Sequence, residues 1–523
     1  MSSPAAAPAA HPPLEGSARL WGTIALSAAT FMNVLDTSIA NVSLPAIAGN
    51  LGVSPNQGTW VITSFAVANA IAVPLTGWLS QRFGQVRLFV ASVLLFVAAS
   101  WLCGLAPNMA MLIAFRALQG FVAGPMIPLS QALLLSSYPR ALAGLAMAMW
   151  AMTTLVAPVM GPLLGGWITD NISWPWIFYI NIPVGLLAAF ATWGIYRHRD
   201  SQIRKLPIDK IGLALLVLWI AALQMVLDLG KEHDWFDSPL ITGLAVTAVV
   251  GFAFFLAWEL TEEHPVVDLS LFTRRNFWAG TLATSVAYAL FFGNMVLMPL
   301  WLQQFMGYTA TDAGIVTAPV GLLALVLSPM VGKTVARVDP RRYVTFAFLV
   351  FALVLWMRSH FNTQADLGTI MVPTIVQGIA VAFFFIPLTT ITLSGLGPER
   401  IPAAAGLSNF VRITCGALGT SVATTLWESR AAMHHAHLAE AVHAGSPAAQ
   451  AALSGLAASG LSPQQALAQL NRMVDQQAFT LAANDIFWIS SVIFLGLIAL
   501  VWLTQRPQRE GGAGAADAAA GAH

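Results

Sequence analysis

The sequence predicts an all-α polytopic membrane protein in which two six-helix bundles flank two inserted helices, fourteen transmembrane helices in all. Three observations predict it. Charge is scarce, with 9% Asp, Glu, Lys and Arg against 57% apolar residues in a chain of 523, where a soluble domain carries roughly 25% charged residues. Apolar runs long enough to cross a bilayer recur along the chain. Short motifs of the first half return in the second at a nearly constant spacing.

With a mean hydropathy of +0.72, 24 basic and 23 acidic residues cannot cover a core of this size with polar surface, so lipid is the solvent for most of the chain. The net charge of +1 gives no support for nucleic-acid binding, which would show as a basic face or tail. Cys103 and Cys415 sit in apolar runs on opposite halves, and no C-x-x-C pair occurs, so neither a disulfide framework nor a cysteine metal site is expected.

A bilayer core needs about 20 helical residues. Residues 1–20, rich in Ala and Pro without a basic leader, read as a disordered cytoplasmic tail. The first bundle takes 21–196, with spans near 21–42, 58–79, 88–106, 109–131, 144–165 and 177–196. Residues 197–265 form a linker with two extra spans, 208–229 and 240–260. The second bundle takes 266–504, with spans near 277–300, 310–332, 342–357, 368–394, 404–427 and 484–504 and a long external loop at 428–483, whose second part, LSPQQALAQLNRMVDQQAFTLAAND, suits an amphipathic helix or a partner contact. Residues 505–523 are a low-complexity cytoplasmic tail. The runs are continuously apolar, which favours helices over the alternating strands of a barrel.

Basic residues set the orientation. With the N-terminus in the cytoplasm, 18 of the 24 Lys and Arg fall on cytoplasmic loops. Lys231, Arg358, Arg430 and Arg472 fall outside, and Arg116 and Arg412 lie within spans. This obeys the positive-inside rule with both termini cytoplasmic.

GWLSQRFGQVRLF at 77–89 returns as GKTVARVDPRRYV at 332–344, matching Gly77, Arg82 and Arg87 to Gly332, Arg337 and Arg342. Gln119-Gly120 followed by Pro128-Leu129-Ser130 returns as Gln377-Gly378 followed by Pro387-Leu388-Thr389. Parallel repeats facing a central site suit an alternating-access carrier.

Asp36, in LDTSIANVSLP at 35–45 with Asn33 and Asn41 nearby, is an acid among apolar neighbours. Such a group either handles protons or bonds its own helix. Arg116 lies at a similar depth, roughly 9 Å below the outer boundary when helix rise is counted from the expected span ends. Arg116 keeps its charge at any physiological pH, so it can bias a nearby acid or bind an anion but not carry the exchangeable proton. Gln119 lies one turn along the same face. Arg412 is placed either in the cavity or at a gate where it snorkels. Pro158, Gly161, Pro162, Gly165 and Gly166 in APVMGPLLGGW point to a kinked, closely packed helix, serving either as a seal or as static packing. Arg82 and Arg87 sit in a short basic loop suited to gating contacts. His434, His435 and His437 are read either as metal ligands or as a solvated segment.

These motifs resemble the major facilitator superfamily, specifically its fourteen-span drug:proton antiporter branch and the EmrB-type subfamily, over residues 20–504. LDTSIANVSLP is similar to the branch's first-span signature, and RALQG at 116–120 to the span whose arginine is tied to proton transfer. GPLLGG at 161–166 is similar to the antiporter motif, and GWLSQRFGQVRLF to the superfamily loop, although Gln81 stands where an acid is usual. SWPWIFYINIPVG at 173–185 and PLTTITLSGLGPER at 387–400 resemble the subfamily, with Pro175 in place of an arginine. The resemblance implies proton-driven export of hydrophobic or amphipathic toxic compounds. It also implies a periplasmic membrane fusion adaptor and an outer-membrane channel as partners, with the chain in the inner membrane. No cofactor or metal is implied. The rival readings are a proton-coupled exporter of one metabolite or fatty acid, and a membrane enzyme or receptor. The enzyme reading is disfavoured because no histidine falls in a span core, and ATP drive because no phosphate-binding G-x-x-x-x-G-K-[ST] occurs.

Overall fold

The computed structural model describes residues 12–53, 58, 60–139, 142–203, 207, 209–230, 233–308, 310–317, 319–335, 337–397, 399–443 and 446–506. Most of both expected tails lies outside these residues, and Gly16 already begins the first helix. Among the described residues the regular structure is helical throughout.

The first group of helices comprises α1 (Gly16–Asn50), α2 (Trp60–Ala72), α3 (Thr76–Phe83), α4 (Gln85–Gly104), α5 (Met109–Ala123), α6 (Met126–Ser137), α7 (Ala143–Asn171), α8 (Trp176–Tyr179) and α9 (Asn181–Tyr196). Then come α10 (Lys210–Leu229) and α11 (Pro239–Glu259). The last group comprises α12 (Arg275–Gln304), α13 (Ala310–Thr317), α14 (Pro319–Thr334), α15 (Pro340–Arg358), α16 (Leu367–Thr392), α17 (Ile401–Ala441), α18 (Pro447–Ala458) and α19 (Pro463–Trp502).

Among the described residues, eleven helical stretches are long and apolar enough to cross a membrane, and a twelfth forms if α2 and α3 count as one span bent by 63°. The break falls at Pro74, which lacks the N–H a continuous helix would need there. The other two expected spans, 144–165 and 404–427, fall on α7 and α17. Helix α7 is helical throughout despite Pro158 and Pro162, whose side chains lie outside the described residues; prolines are tolerated in spans whose neighbours satisfy the freed groups. Large apolar side chains such as Leu187, Val249, Phe190 and Phe254 face outward, each more than 60% exposed. A surface so apolar requires lipid.

Polar caps sit at several helix starts. Asn108, Asp209, Asp339 and Asp366 accept backbone N–H groups at the first turns of α5, α10, α15 and α16, using donors that have no intrahelical partner. Ser462 and Gln465 form a reciprocal capping box at α19.

The expected external loop at 428–483 is largely helix. Helix α17 runs on to Ala441, α18 follows, and α19 begins at Pro463. The two long helices are tied by Trp427 Nε1 donating to the Phe479 carbonyl at 2.9 Å, by His434 with Asp485 at 2.9 Å and by His435 with Asp475 at 2.7 Å. These carboxylates give two of the three candidate histidines a pairing partner.

Within the first group α1 packs on α7 and α9, and α2 on α5; within the last, α12 packs on α17 and α15 on α16 and α19. Helix α10 lies against α2 and α17. The two groups meet where α7 packs on α14 and where α17 packs on α3 and α6. Glycines permit these approaches: a Cβ on Gly144 would stand 2.5 Å from the Gly332 carbonyl oxygen, and one on Gly77 would stand 2.6 Å from Ala403 Cβ. A Cβ on Gly406 would stand 2.9 Å from the Val73 carbonyl oxygen. All three approaches lie at the end of the bundle that bears both described chain ends, where the Leu14 N–H bonds the Ser137 carbonyl and Arg341 reaches the Thr504 carbonyl. At this end the two groups meet through backbone and single methyl groups.

Gly120 and Gly166 give contrasting tests of the packing. A Cβ on Gly120 would meet the Phe65 carbonyl oxygen at 2.2 Å, whereas one on Gly166 meets nothing within 4 Å. Gly120→Ala is expected to cost about 1–3 kcal/mol, lowering the thermal unfolding midpoint in detergent. Gly166→Ala should leave it unchanged or raised, since alanine favours a helix interior by roughly 0.5–1 kcal/mol. Equal midpoints for the two variants would refute the close packing of α2 on α5.

Candidate functional site: a buried acid and arginine

Four helices deliver polar side chains to one point inside the first group. Arg116 and Gln119 lie three residues apart on α5, Ser100 and Cys103 three apart on α4, and such pairs share a helix face. Asp36 comes from α1 and Asn181 from the start of α9. Asp36, Arg116, Gln119, Ser100 and Cys103 are fully buried and Asn181 nearly so.

The carboxylate of Asp36 is bonded on both oxygens. Arg116 Nη1 donates to Oδ2 at 2.6 Å, while Asn181 Nδ2 and Gln119 Nε2 donate to Oδ1 at 2.7 and 3.1 Å. Gln119 Nε2 also donates to Ser100 Oγ at 2.8 Å, and its Oε1 accepts from Arg116 Nη1 at 2.6 Å. Arg116 Nε donates to the Val61 carbonyl at 3.0 Å, and the guanidinium lies 4.3 Å from the Phe65 ring centroid. The missing side chain of Gly120 lets α2 approach closely enough to place both Val61 and Phe65 there. Gly161 and Gly165 play the same part behind Asp36, since Cβ atoms there would stand 2.3 Å from Ser38 Oγ and 2.7 Å from Ile39 Cγ1. Gly166 has open space beside it.

An ion pair removed from water is tolerated only when geometry is good and the remaining polar atoms are satisfied. Here one guanidinium atom, Arg116 Nη2, is buried without a partner. Chemically the carboxylate can take one proton while the arginine stays charged.

Asp36 and Arg116 share a layer, their side chains meeting at 2.6 Å. The apolar stretch of α1 ends at Asn41, while the helix itself runs on to Asn50. Asn33 turns elsewhere and donates to the Ala123 carbonyl at 3.4 Å. Asn41 is exposed and stands apart from the cluster.

Three cluster members are not marked as site residues by the sequence motifs: Ser100, Cys103 and Asn181. Asn181 lies inside the quoted SWPWIFYINIPVG stretch, and an amide within an apolar span was its signal. Arg358, counted outside, is buried at the end of α15. Its Nη2 donates to Gln377 Oε1 at 2.7 Å and to Thr374 Oγ1 at 3.1 Å. Gln377, the repeat partner of Gln119, thus meets an arginine from a different helix.

Arg82 stacks over Trp78 at 5.5 Å, and Arg87 pairs with Asp200 at 3.4 Å. Asp200 also accepts the Val86 N–H at 2.9 Å at the first turn of α4. A carboxylate thus reaches this basic loop from a distant loop, although Gln81 carries none. Arg412 lies at the junction of the two helix groups. Its Nη2 donates to Asn409 Oδ1 at 2.5 Å, and Asn409 Nδ2 donates across the junction to Gln131 Oε1 at 2.8 Å.

Removing Arg116 leaves the Asp36 charge buried and uncompensated. Arg116→Ala is expected to destabilise the protein by about 3–5 kcal/mol, whereas Asp36→Asn combined with Arg116→Met restores most of the loss. Thermal unfolding in detergent measures both, and an Arg116→Ala variant as stable as the parent would rule out an ionised pair.

The Major Facilitator Superfamily pattern matches residues 26–420. The chain is 52% identical over 503 residues to the multidrug export protein EmrB of Escherichia coli (strain K12), covering 96% of this chain and 98% of that protein. It is 50% identical over 504 residues to the fatty acid resistance protein FarB of Neisseria gonorrhoeae, covering 96% and 99%. Among solved structures, the human organic anion transporter MFSD10 superposes with a TM-score of 0.55 at 14% identity, covering 94% of this chain and 100% of that one; this likeness speaks to fold alone. With its many apolar helices and relatives matched along nearly their whole length, the chain is a multi-pass membrane transporter and belongs to the Major Facilitator Superfamily.

Proposed function

We propose that this transporter is a proton-driven antiporter that exports hydrophobic or amphipathic toxic compounds from the cytoplasm, as the inner-membrane subunit of a three-part efflux pump. The observation that carries the proton-driven part is the fully buried Asp36–Arg116 pair at 2.6 Å. Its support for export is the half-identity to EmrB over nearly the full length of both chains. The proposed layout has fourteen spans: two six-helix bundles, 21–196 and 266–504, and two inserted spans in 197–265. Both termini are cytoplasmic.

In this reading the end closed by Gly77, Gly144, Gly332 and Gly406 is the cytoplasmic one, so the described conformation faces outward. A proton arriving from outside neutralises Asp36, removing the charge that Arg116, Gln119 and Asn181 jointly bind. Arg116 is then left with Gln119 and the Val61 carbonyl, and α1 is no longer held to α5 by an ion pair. Loosening that tie permits the helices to rearrange, and return of the ion pair after proton release resets them. Arg82 and Arg87 steady the closed end, Asn33 and Gln119 brace the first group internally, and Asn41 lies on the outward path. The glycines of α7 keep α1 and α7 in register.

A second reading is export of fatty acids or one specific metabolite, favoured by the 50% identity to the fatty acid resistance protein FarB. Efflux of a chemically varied panel from cells expressing the chain separates the two readings. Movement of fatty acids alone supports the narrower one.

The partners in this proposal are a membrane fusion adaptor and an outer-membrane channel. The helical extension formed by the ends of α17 and α19 with α18 is the proposed docking surface, because it projects beyond the apolar part of both long helices.

Asp36→Asn keeps the side chain's shape and removes its titration. In vesicles with an imposed pH gradient, this variant is expected to lose at least tenfold in transport while inserting normally; undiminished gradient-driven transport would sink the role of Asp36. Replacing residues 446–461 by a short Gly-Ser link should abolish co-purification of the adaptor while leaving transport in vesicles intact. Retained adaptor binding would move the contact to another surface.

A further inference from the structure

The inserted pair of helices carries an acid that the proposed cycle does not use. Asp228 lies in the last turn of α10, and α10 packs on α11, on α2 of the first group and on α17 of the last. Gln224 Nε2 donates to Asp228 Oδ1 at 3.1 Å, and Thr63 of α2 turns its hydroxyl to the same carboxyl group. Asp228 Oδ2 is buried without a partner. Ser421 of α17 donates to the Leu227 carbonyl at 3.0 Å, so α17 meets α10 beside this acid. Two buried hydroxyls on the flanking helices also lack partners: Ser64, next to Thr63 on α2, and Thr425, one turn beyond Ser421 on α17. Unmet polar atoms thus occur on all three helices of an otherwise apolar seam.

Among the described residues no cation answers the Asp228 charge. Helix α2 holds no Asp, Glu, Lys, Arg or His. Besides Asp228, α10 holds only Lys210 and α11 only Glu259, both at the far end of the pair. On α17 the ionisable residues flanking Ser421 are Arg412 and Glu428, each about two turns away or more. His233, Asp234 and Asp237, between α10 and α11, are exposed, and Lys231 and Glu232 lie outside the described residues. The carbonyl ends of the last turn add further negative potential. An acid so placed, with only neutral donors, sheds its charge by taking a proton. Helix α2 joins it to the other acid, since Val61 and Phe65 meet Arg116 while Thr63 meets Asp228.

We infer that Asp228 is a second proton-exchanging carboxylate, set by the inserted pair at the seam between the two helix groups, so that each export cycle returns two protons, one at Asp36 and one at Asp228. This rests on the proposed antiport for the cycle, but not for proton exchange at Asp228 itself. Hydrogen bonds to an ionised carboxylate are roughly twice as strong as those to a neutral one. A proton on Asp228 therefore loosens α2 from α10, as a proton on Asp36 loosens α1 from α5. The charges balance differently with one proton and with two. Two protons entering against one monovalent organic cation leaving carry one net positive charge inward, whereas one proton against the same cation carries none.

The test reads that charge. Full-length protein is reconstituted in vesicles loaded with ethidium, a monovalent cation, and the steady ethidium gradient is measured at a fixed pH gradient with and without an imposed potential. In the parent an inside-negative potential should enlarge the outward gradient tenfold for each ~59 mV. Asp228→Asn should remove this response while the pH gradient still drives ethidium out, and Asp228→Glu, which restores a titrating group, should keep it. A parent indifferent to potential, or an Asp228→Asn variant that is slower but responds as the parent does, would overturn the second site and leave proton-driven export standing. A parent that moves no ethidium under either force removes export instead. In that case, or if Asp228→Asn fails to fold or to transport, carbodiimide labelling of the unaltered protein decides, because the reagent attacks protonated carboxyl groups. Peptide mass analysis should find the label on Asp228, falling at least tenfold from acid to alkaline pH. Label absent from Asp228, or constant across that range, would overturn proton exchange there.

Discussion

A guanidinium and a carboxylate held 2.6 Å apart out of reach of solvent impose more on this fold than any single apolar contact. Each charge alone would be intolerable there, and together they are tolerable only if the other lone pairs and protons find partners. Those partners are supplied by α2, α5 and α9, so three helices must meet α1 at one level. Meeting at that level requires the missing side chains of Gly120, Gly161 and Gly165, because a Cβ at any of them would stand under 3 Å from a neighbouring helix. The glycines scattered through the motifs are therefore the steric condition for the charged ones. In lipid, where apolar surfaces gain little by meeting each other, such close packing and internal hydrogen bonding are what hold spans together.

The spans were largely legible because an apolar run is a direct statement of what its residues can be dissolved in. Contacts between distant positions were less so. Asp36 and Arg116 stood out as ionisable groups in apolar company, and their shared depth followed approximately from helix rise. Ser100 and Asn181 do not stand out in the sequence, because a small polar residue in a span is common and its partner, Gln119 for Ser100 and Asp36 for Asn181, is set only by how the helices pack. Arg358 reads as external because a charge marks the end of an apolar window; its burial against Thr374 and Gln377 does not follow from α15 alone. Asp200 is invisible for a different reason: the loop itself carries no acid at Gln81, and the fold brings one from beyond α9. The helical continuation of α17 and α19 lay in Ala-rich sequence whose polarity is mixed, where periodicity marks only part of the helix.

The repeat is evident in sequence but its chemistry is not duplicated. Around Gln119 the first group assembles an arginine with an acid; around Gln377 the last group assembles Arg358 with a hydroxyl and an amide. Arg412 adds a second acid-free cation on the same side of the junction. The first group is thus charge-balanced at its centre and the last group is not. The two halves thus differ electrostatically: one holds a buried ion pair, the other fixed positive potential.

The glycine contacts that close one end also bear on how it opens. At Gly144 and Gly332, and again at Gly77 against Ala403, backbone meets backbone or a single methyl, with no long side chain between to stretch or change rotamer. Dispersion falls so steeply with distance that a gap of 0.5–1 Å forfeits roughly a quarter to a half of each contact. A seam built this way has no soft intermediate setting. Such a seam resists partial separation, because even a small gap forfeits much of its contact energy.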